Sequence, residues 1–277
     1  LKGRKFWNLK KIDDKTGELT LYGEISDTTW WGDEITPKQF KEDLDALGDI
    51  ETLNVYINSP GGDVFAGQAI YTMLKRHKAK INVYIDGLAA SIASLIAMAG
   101  DKVIMPENAM MMIHNPWTFA SGNANDFRKL ADDLDKIRES MIVAYQKKTG
   151  LEKSKIIDIM DAETWLTAQE CKEKGFADEI EEAKQAAAYI SEKYFAVYKK
   201  VPEQLKTQNK DNLTSKLQVN IDMIAEKILS ALKKEYALNN VTSTGDDKPP
   251  NDDTREVKAN ENDAELRKRK LLLELEL

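Results

Sequence analysis

Leu53-Asn54-Val55-Tyr56-Ile57 runs into Asn58-Ser59-Pro60-Gly61-Gly62-Asp63, and the residues that follow carry Ala66, Ile70, Met73 and Leu74 at helical spacing as far as about Arg76. A short apolar run, a sharp Pro-Gly-Gly turn and an amphipathic segment spell strand, turn, helix. The same grammar extends in both directions. Upstream, residues 19–22 read as a strand after the Asp14-Lys15-Thr16-Gly17 turn, and Thr36-Pro37 opens a helix to about Leu47 with Thr as N-cap and Pro at its first position. Downstream, residues 81–85 form the next strand, and Gly87 leads into a helix with Ile92, Leu95, Ile96 and Ala99 on one face. Residues 103–105 and 110–113 are short apolar strands. Residues 125–148 form a long, polar-faced helix ended by Gly150, and two shorter helices precede Gly175. Alternating strands and helices joined by short turns predict an α/β fold with a parallel sheet covered by helices.

This pattern ends near Glu181. Residues 205–216 and 239–262 are rich in Asn, Asp, Lys, Thr and Pro and read as linkers or disordered segments. Between them Leu217, Ile221, Ile224, Ile228 and Ala231 recur at steps of four and three, an amphipathic helix near 215–238 with coiled-coil spacing. All five Trp lie between Trp7 and Trp165, and no aromatic residue follows Tyr236. Aromatic rings dominate core burial, so the packed domain is expected over 1–184, with a helical, partly disordered C-terminal extension over 185–277.

Composition excludes several function classes. The 40 Lys and Arg against 47 Asp and Glu give a net charge of −7, so the chain as a whole is no basic nucleic-acid binder. The single Cys171 excludes an intramolecular disulfide and a cysteine zinc cluster, and fits a reducing compartment. With only His77 and His114, a three-histidine metal site cannot be built, and neither metal nor cofactor is expected. The best apolar run, 87–100, is too short to span a bilayer, and no signal-peptide pattern is present. The absence of a G-x-x-x-x-G-K-[ST] loop argues against ATP hydrolysis by this chain.

Three features carry chemistry. The Gly61-Gly62 turn exposes backbone N–H groups at a helix start and suits an anion or a tetrahedral oxyanion, though taken alone a plain tight turn explains it better. Ser91 in Gly87-Leu88-Ala89-Ala90-Ser91-Ile92 has room for a substrate carbonyl, with the Ile92 N–H placed as an oxyanion donor; its structural alternative is a helix N-cap. His114 follows the strand Met110-Met111-Met112-Ile113 and is either a structural histidine or a general base. His77, in the charged run Lys75-Arg76-His77-Lys78, competes poorly for that role.

Taken together and in order, these features resemble the ClpP-like serine peptidases, in particular the head maturation (prohead) proteases of tailed phages. The resemblance covers about residues 17–182. It rests on Asn58 to Gly62, Gly87 to Ser91 with the helix to Gly100, Met112-Ile113-His114-Asn115-Pro116, and Glu163-Thr164-Trp165-Leu166-Thr167-Ala168 followed by Gly175-Phe176-Ala177-Asp178. It implies a ClpP/crotonase-like spiral of β-β-α units. It also implies Ser91 as nucleophile, His114 as base, and an oxyanion hole from the N–H groups of Gly61 or Gly62 and of Ile92. The family's third member is an Asp; the matching position here is Glu163, with Asp161 as the competing candidate. The long helix at 125–148 lies where the family meshes two rings, so a homo-oligomeric ring is implied.

The expected activity is therefore serine endopeptidase cleavage through an acyl-enzyme. The expected substrates are polypeptides, capsid or scaffold proteins of an assembling phage head in the bacterial cytoplasm, with no nucleic-acid or membrane partner; an ATPase partner is left open. Two alternatives stand beside it: a crotonase-type acyl-CoA hydratase or isomerase, and a non-catalytic capsid-assembly module on the same fold.

Overall fold

The computed structural model describes residues 5–26, 37–183 and 197–202. The chain divides into two compact units, Leu1–Lys216 and Leu217–Leu277, and every described residue belongs to the first. The linkers and the amphipathic helix expected near 215–238 lie outside the described residues.

The sheet begins with a hairpin, β1 (Trp7–Lys11) antiparallel to β2 (Thr16–Tyr22). Next come α1 (Pro37–Asp45), β3 (Thr52–Ser59), α2 (Val64–Arg76) and β4 (Lys80–Ala90). They are followed by α3 (Ile92–Ala97), β5 (Lys102–Pro106), β6 (Met110–Ile113), α4 (Ala124–Thr149), α5 (Lys153–Asp161), β7 (Thr164–Thr167), α6 (Ala168–Glu173) and β8 (Glu179–Glu181). The main sheet runs β1-β2-β3-β4-β5-β8, parallel from β2 onward, while β6 pairs in parallel with the far end of β4 and carries β7 antiparallel on its other side. The fold is the expected α/β class, but its sheet is mixed: the two outlying pairs, β1–β2 and β6–β7, are antiparallel.

Burial follows the pleat. In β3 and in the first part of β4, buried and half-buried residues alternate, as they do where helices cover one face of a sheet. Leu53, Val55, Ile57, Ile81, Val83 and Ile85 form the covered face. At Leu88, Ala89 and Ala90 the alternation stops and every residue is buried. Two helices meet here at close range: a Cβ added to Gly67 of α2 would lie 2.2 Å from Ile92 Cγ1.

The boundary nearest Ser91 differs from the sequence expectation, and β2 starts earlier than expected, at Thr16. Gly87 does not lead into a helix; it stays in β4 at φ 141°, inside a register shift where Ile57 pairs with Ile85 but Ser59 with Ala89. The glycine marks a bulge, a second use of glycine inside a strand. β4 is thereby carried on to Ala90, and the break falls at Ser91.

Candidate active site

Sheet register assembles the site. Ala90 of β4 pairs in parallel with Met112 of β6, so both strands leave the sheet side by side, one into Ser91 and the other into Ile113 and His114. Ser91 N–H then donates to Met112 O at 2.8 Å, and Ser91 Oγ lies 2.7 Å from His114 Nε2. Ser91 occupies the N-cap position of α3 but makes no side-chain cap; its backbone sits at φ 54°, ψ −127°, a conformation that L-residues rarely adopt. That turn points the hydroxyl at the histidine instead of at the helix amides. Both residues are 8% exposed.

A buried brace behind the turn holds it. Ser94 Oγ donates to Ser91 O at 2.6 Å and lies 2.8 Å from Tyr145 Oη, a fully buried phenol of α4 whose pKa burial pushes up. Burial drives the His114 imidazole down to about 4, against the opposing pull of the nearby Glu163 charge. At neutral pH the ring is therefore uncharged, the form whose Nε2 accepts a hydroxyl proton.

The two acidic candidates separate. In the antiparallel β6–β7 ladder Ile113 pairs with Thr164, so the next position sets Glu163 opposite His114. Glu163 has φ 47°, and its carboxylate accepts from Lys199 N–H at 3.0 Å and Lys200 N–H at 2.7 Å; it acts on His114 as a nearby charge. Asp161 instead accepts from Asn115 Nδ2 at 2.7 Å and from Arg138 Nη1 at 3.4 Å, on an exposed surface.

The glycine turn closes over Ser91. Gly61 (φ 98°) approaches so near that an added Cβ would lie 2.7 Å from Ser91 Cβ. Gly62 (φ 147°) is pinned to the segment after β2, with Ile25 N–H donating to Gly61 O and Asp63 N–H to Ile25 O, both at 2.8 Å. Gly61 N–H already donates to Ser59 Oγ at 3.1 Å. Ile92 is the first residue of α3, so its N–H has no intrahelical acceptor. The N–H groups of Gly62 and Ile92 are thus the candidate donors to an anion in this cradle.

A cleft of about 760 Å³ opens beside Ser91, walled by Ile25, Phe65, Trp117, Phe119 and the Leu134 and Met141 side of α4. Val197 and Tyr198 border the same cleft. Tyr198 and Val201 are 3% and 6% exposed and pack with Leu88, Ala90 and Met112. Sequence reading missed Tyr198; its one signal is the aromatic run Tyr194-Phe195-Ala196-Val197-Tyr198 after the strand–helix grammar has ended. Cys171 is buried with its thiol pushed up to about 12, which suits packing and not nucleophilic chemistry. Among the described residues no group of His, Cys, Asp and Glu could hold a metal ion, and no helix is long and apolar enough to cross a membrane.

Fold and site define a class: a ClpP-like α/β chain with a buried Ser–His pair under a glycine cradle. Residues 19–184 match the family model for Clp protease, and the chain belongs to that family. A relative from Bacteroides fragilis named "ATP-dependent Clp protease proteolytic subunit" is 34% identical over 140 residues, covering 50% of this chain and 67% of that protein. A protein of the same name from B. fragilis strain YCH46 is 34% identical over 140 residues, 50% of this chain and 63% of its own length. Another so named, from Deinococcus radiodurans, is 32% identical over 140 residues, 50% of this chain and 68% of its own length. The chain thus spans about two thirds of the length of these three relatives.

Proposed function

We propose that this chain is a serine endopeptidase. The observation that carries the reading is the 2.7 Å contact between Ser91 Oγ and a buried His114 Nε2. Ser91 Oγ attacks the scissile carbonyl carbon while His114 takes its proton, and the C=O electron pair moves onto oxygen between the N–H groups of Gly62 and Ile92. Collapse of the tetrahedral intermediate breaks the C–N bond, and His114 returns the proton to the leaving amine. Water then repeats the sequence on the acyl-enzyme. A positioned base contributes about 10²–10⁴ in rate, and each oxyanion donor about 10²–10³. Glu163 is the third member: ladder register sets it opposite His114, and its charge favours the imidazolium that forms in the transition state. Asp161, tied to Asn115 and Arg138, is the weaker candidate.

The substrate class is polypeptide, and the cytoplasmic working form is a homo-oligomeric ring. The name "proteolytic subunit" carried by the relatives supports both, and α4, capped at both ends by Asn123 and Gly150, is the element that would mesh two rings. Cleavage of capsid or scaffold proteins during phage head maturation is the finer reading. It is supported by the order of the Gly-Gly, Ser and His segments and by the extension beyond residue 184. Intact-mass analysis of the chain co-expressed with shell proteins, wild type against Ser91→Ala, tests it. Products present only in the wild type are expected; identical products in both would end it.

A further inference from the structure

The segment that borders the cleft is this chain's own, and it engages the candidate catalytic groups from two sides. Tyr198 Oη donates to Pro60 O, in the turn that forms the glycine cradle, and its side chain lines the cleft beside Ser91. Its ring stands edge-on to His114, with centroids 5.2 Å apart and planes at 89°, and edge-on to Trp165 at 6.0 Å. A substrate must lay its scissile carbonyl over Ser91 beside that turn, where the Tyr198 side chain already sits. One residue further on, the backbone takes over. Lys199 N–H and Lys200 N–H occupy separate oxygens of the Glu163 carboxylate, and Lys200 Nζ donates to Ala162 O at 2.5 Å. Each amide takes one acceptor site on its oxygen, so the segment fixes the carboxylate that faces the imidazole across the ladder. Val201 anchors the segment in the apolar cluster of Leu88, Ala90 and Met112.

We propose that residues 197–202 are an intramolecular latch: Tyr198 covers the Ser91–His114 pair, the Lys199 and Lys200 amides fasten the segment to Glu163, and the peptidase centre opens when the segment leaves. The inference rests on Ser91 being the nucleophile. It makes the first partner of the cleft a peptide segment in cis, held by shape and by main-chain hydrogen bonds.

Fluorophosphonate labelling of the full chain tests it, read as intact mass over time with the labelled residue mapped. Ser91 Oγ displaces fluoride at phosphorus, so the rate reports how often the hydroxyl is reachable. A centre open in no more than a tenth of molecules reacts about tenfold slower than one always open. Tyr198→Ala and Lys200→Pro, which removes one amide from an exposed position, are each expected to label at Ser91 about tenfold or more faster than wild type. Ser91→Ala takes up no label. Should Tyr198→Ala fail to fold, Lys199→Pro combined with Lys200→Pro carries the same comparison. Equal rates in wild type and variants, with Ser91→Ala unlabelled, overturn the latch and leave the nucleophile standing. Label that persists in Ser91→Ala, or none in any variant, overturns the nucleophile and the latch with it.

Discussion

Among the described residues, two non-glycine positions have positive φ, Ser91 at 54° and Glu163 at 47°, and they are supported in opposite ways. Ser91 is fixed by the core. Its N–H goes to Met112 O, its carbonyl receives the Ser94 hydroxyl and N–H, and Tyr145 braces Ser94 from α4. Glu163 stands at the exposed end of β7. Its N–H reaches Met160 O in α5 at 3.1 Å, and its carboxylate is held by residues 199 and 200. Strained conformations persist where their surroundings over-determine them. At Ser91 those surroundings are the packed interior, so the nucleophile is set once the domain folds. At Glu163 they include a segment that follows the last strand, β8, so the acid's engagement changes when that segment moves.

The largest effect is expected at the core-fixed position. Ser91→Ala should cost at least about a thousandfold in peptide hydrolysis, the order lost when a catalytic serine is removed, with the folded spectrum unchanged. A variant that keeps more than a tenth of wild-type activity would break the assignment. Next comes the cradle. A Cβ on Gly62 would lie 1.8 Å from Ile25 O, at φ 147°, and neither backbone nor rotamer can yield that distance. Gly62→Ala should therefore destabilise the domain by about 3 kcal/mol or more, the range of overpacking joined to a forbidden backbone, measured by denaturant unfolding. A loss below about 1 kcal/mol, the scale of an ordinary substitution, would show that the segment around Ile25 is free to shift.

The same contrast explains what was legible in the sequence. The Asn58 to Asp63 turn, the Gly87 to Ser91 run and His114 announce themselves because each is set by local chemistry: turn residues, small residues, and a histidine at a strand end. The structure brings Ser91 and His114 together through one parallel register. Features that depend on distant partners were not legible. β1 carries Lys10 and Lys11 on an edge and lacks an apolar pattern, and it is held by Trp7, which packs edge-on to Phe40 and donates to Asp43 of α1. β7 has only four residues, and only its pairing with β6 makes it a strand. The Ser94–Tyr145 brace joins α3 to α4, a pairing that no local spacing encodes. Tyr198 belongs with them, since its significance comes wholly from the residues it lies against.

Backbone strain offers a smaller, quantitative comparison. Glycine at Ser91 relaxes φ 54°, ψ −127°, whereas alanine keeps the strain, so Ser91→Gly should be more stable than Ser91→Ala by about 1–2 kcal/mol once glycine's added unfolded-state entropy is counted. The corresponding difference at Glu163 should be smaller, under about 1 kcal/mol, because the short connection between α5 and β7 relaxes around its residue. Thermal unfolding of the four variants measures both differences. A larger gap at residue 163 than at residue 91 would reverse the assignment of the rigid and the adjustable position.

The smallest expected effect is a titration shift, and its sign separates the two supports most cleanly. Burial holds the His114 imidazole at about 4, while the Glu163 charge acts in the opposite direction. Glu163→Gln removes a negative charge that favours imidazolium, so the His114 midpoint should move below about 4. Tyr198→Ala uncovers the ring, so its midpoint should rise toward the unperturbed value of about 6.5. Because the neutral ring is the base, labelling of Ser91 is flat above the midpoint and falls about tenfold per pH unit below it. The acid limb therefore extends to lower pH in Glu163→Gln and retreats to higher pH in Tyr198→Ala. With only His77 and His114 in the chain, ring resonances followed by NMR and assigned with His77→Gln give the two midpoints directly. Opposite shifts mean that the carboxylate acts on His114 through charge and the tail through burial. Shifts in the same direction would mean that removing either one simply hydrates the site, and Glu163 would then be an anchor for residues 199 and 200 and no part of the proton-transfer machinery.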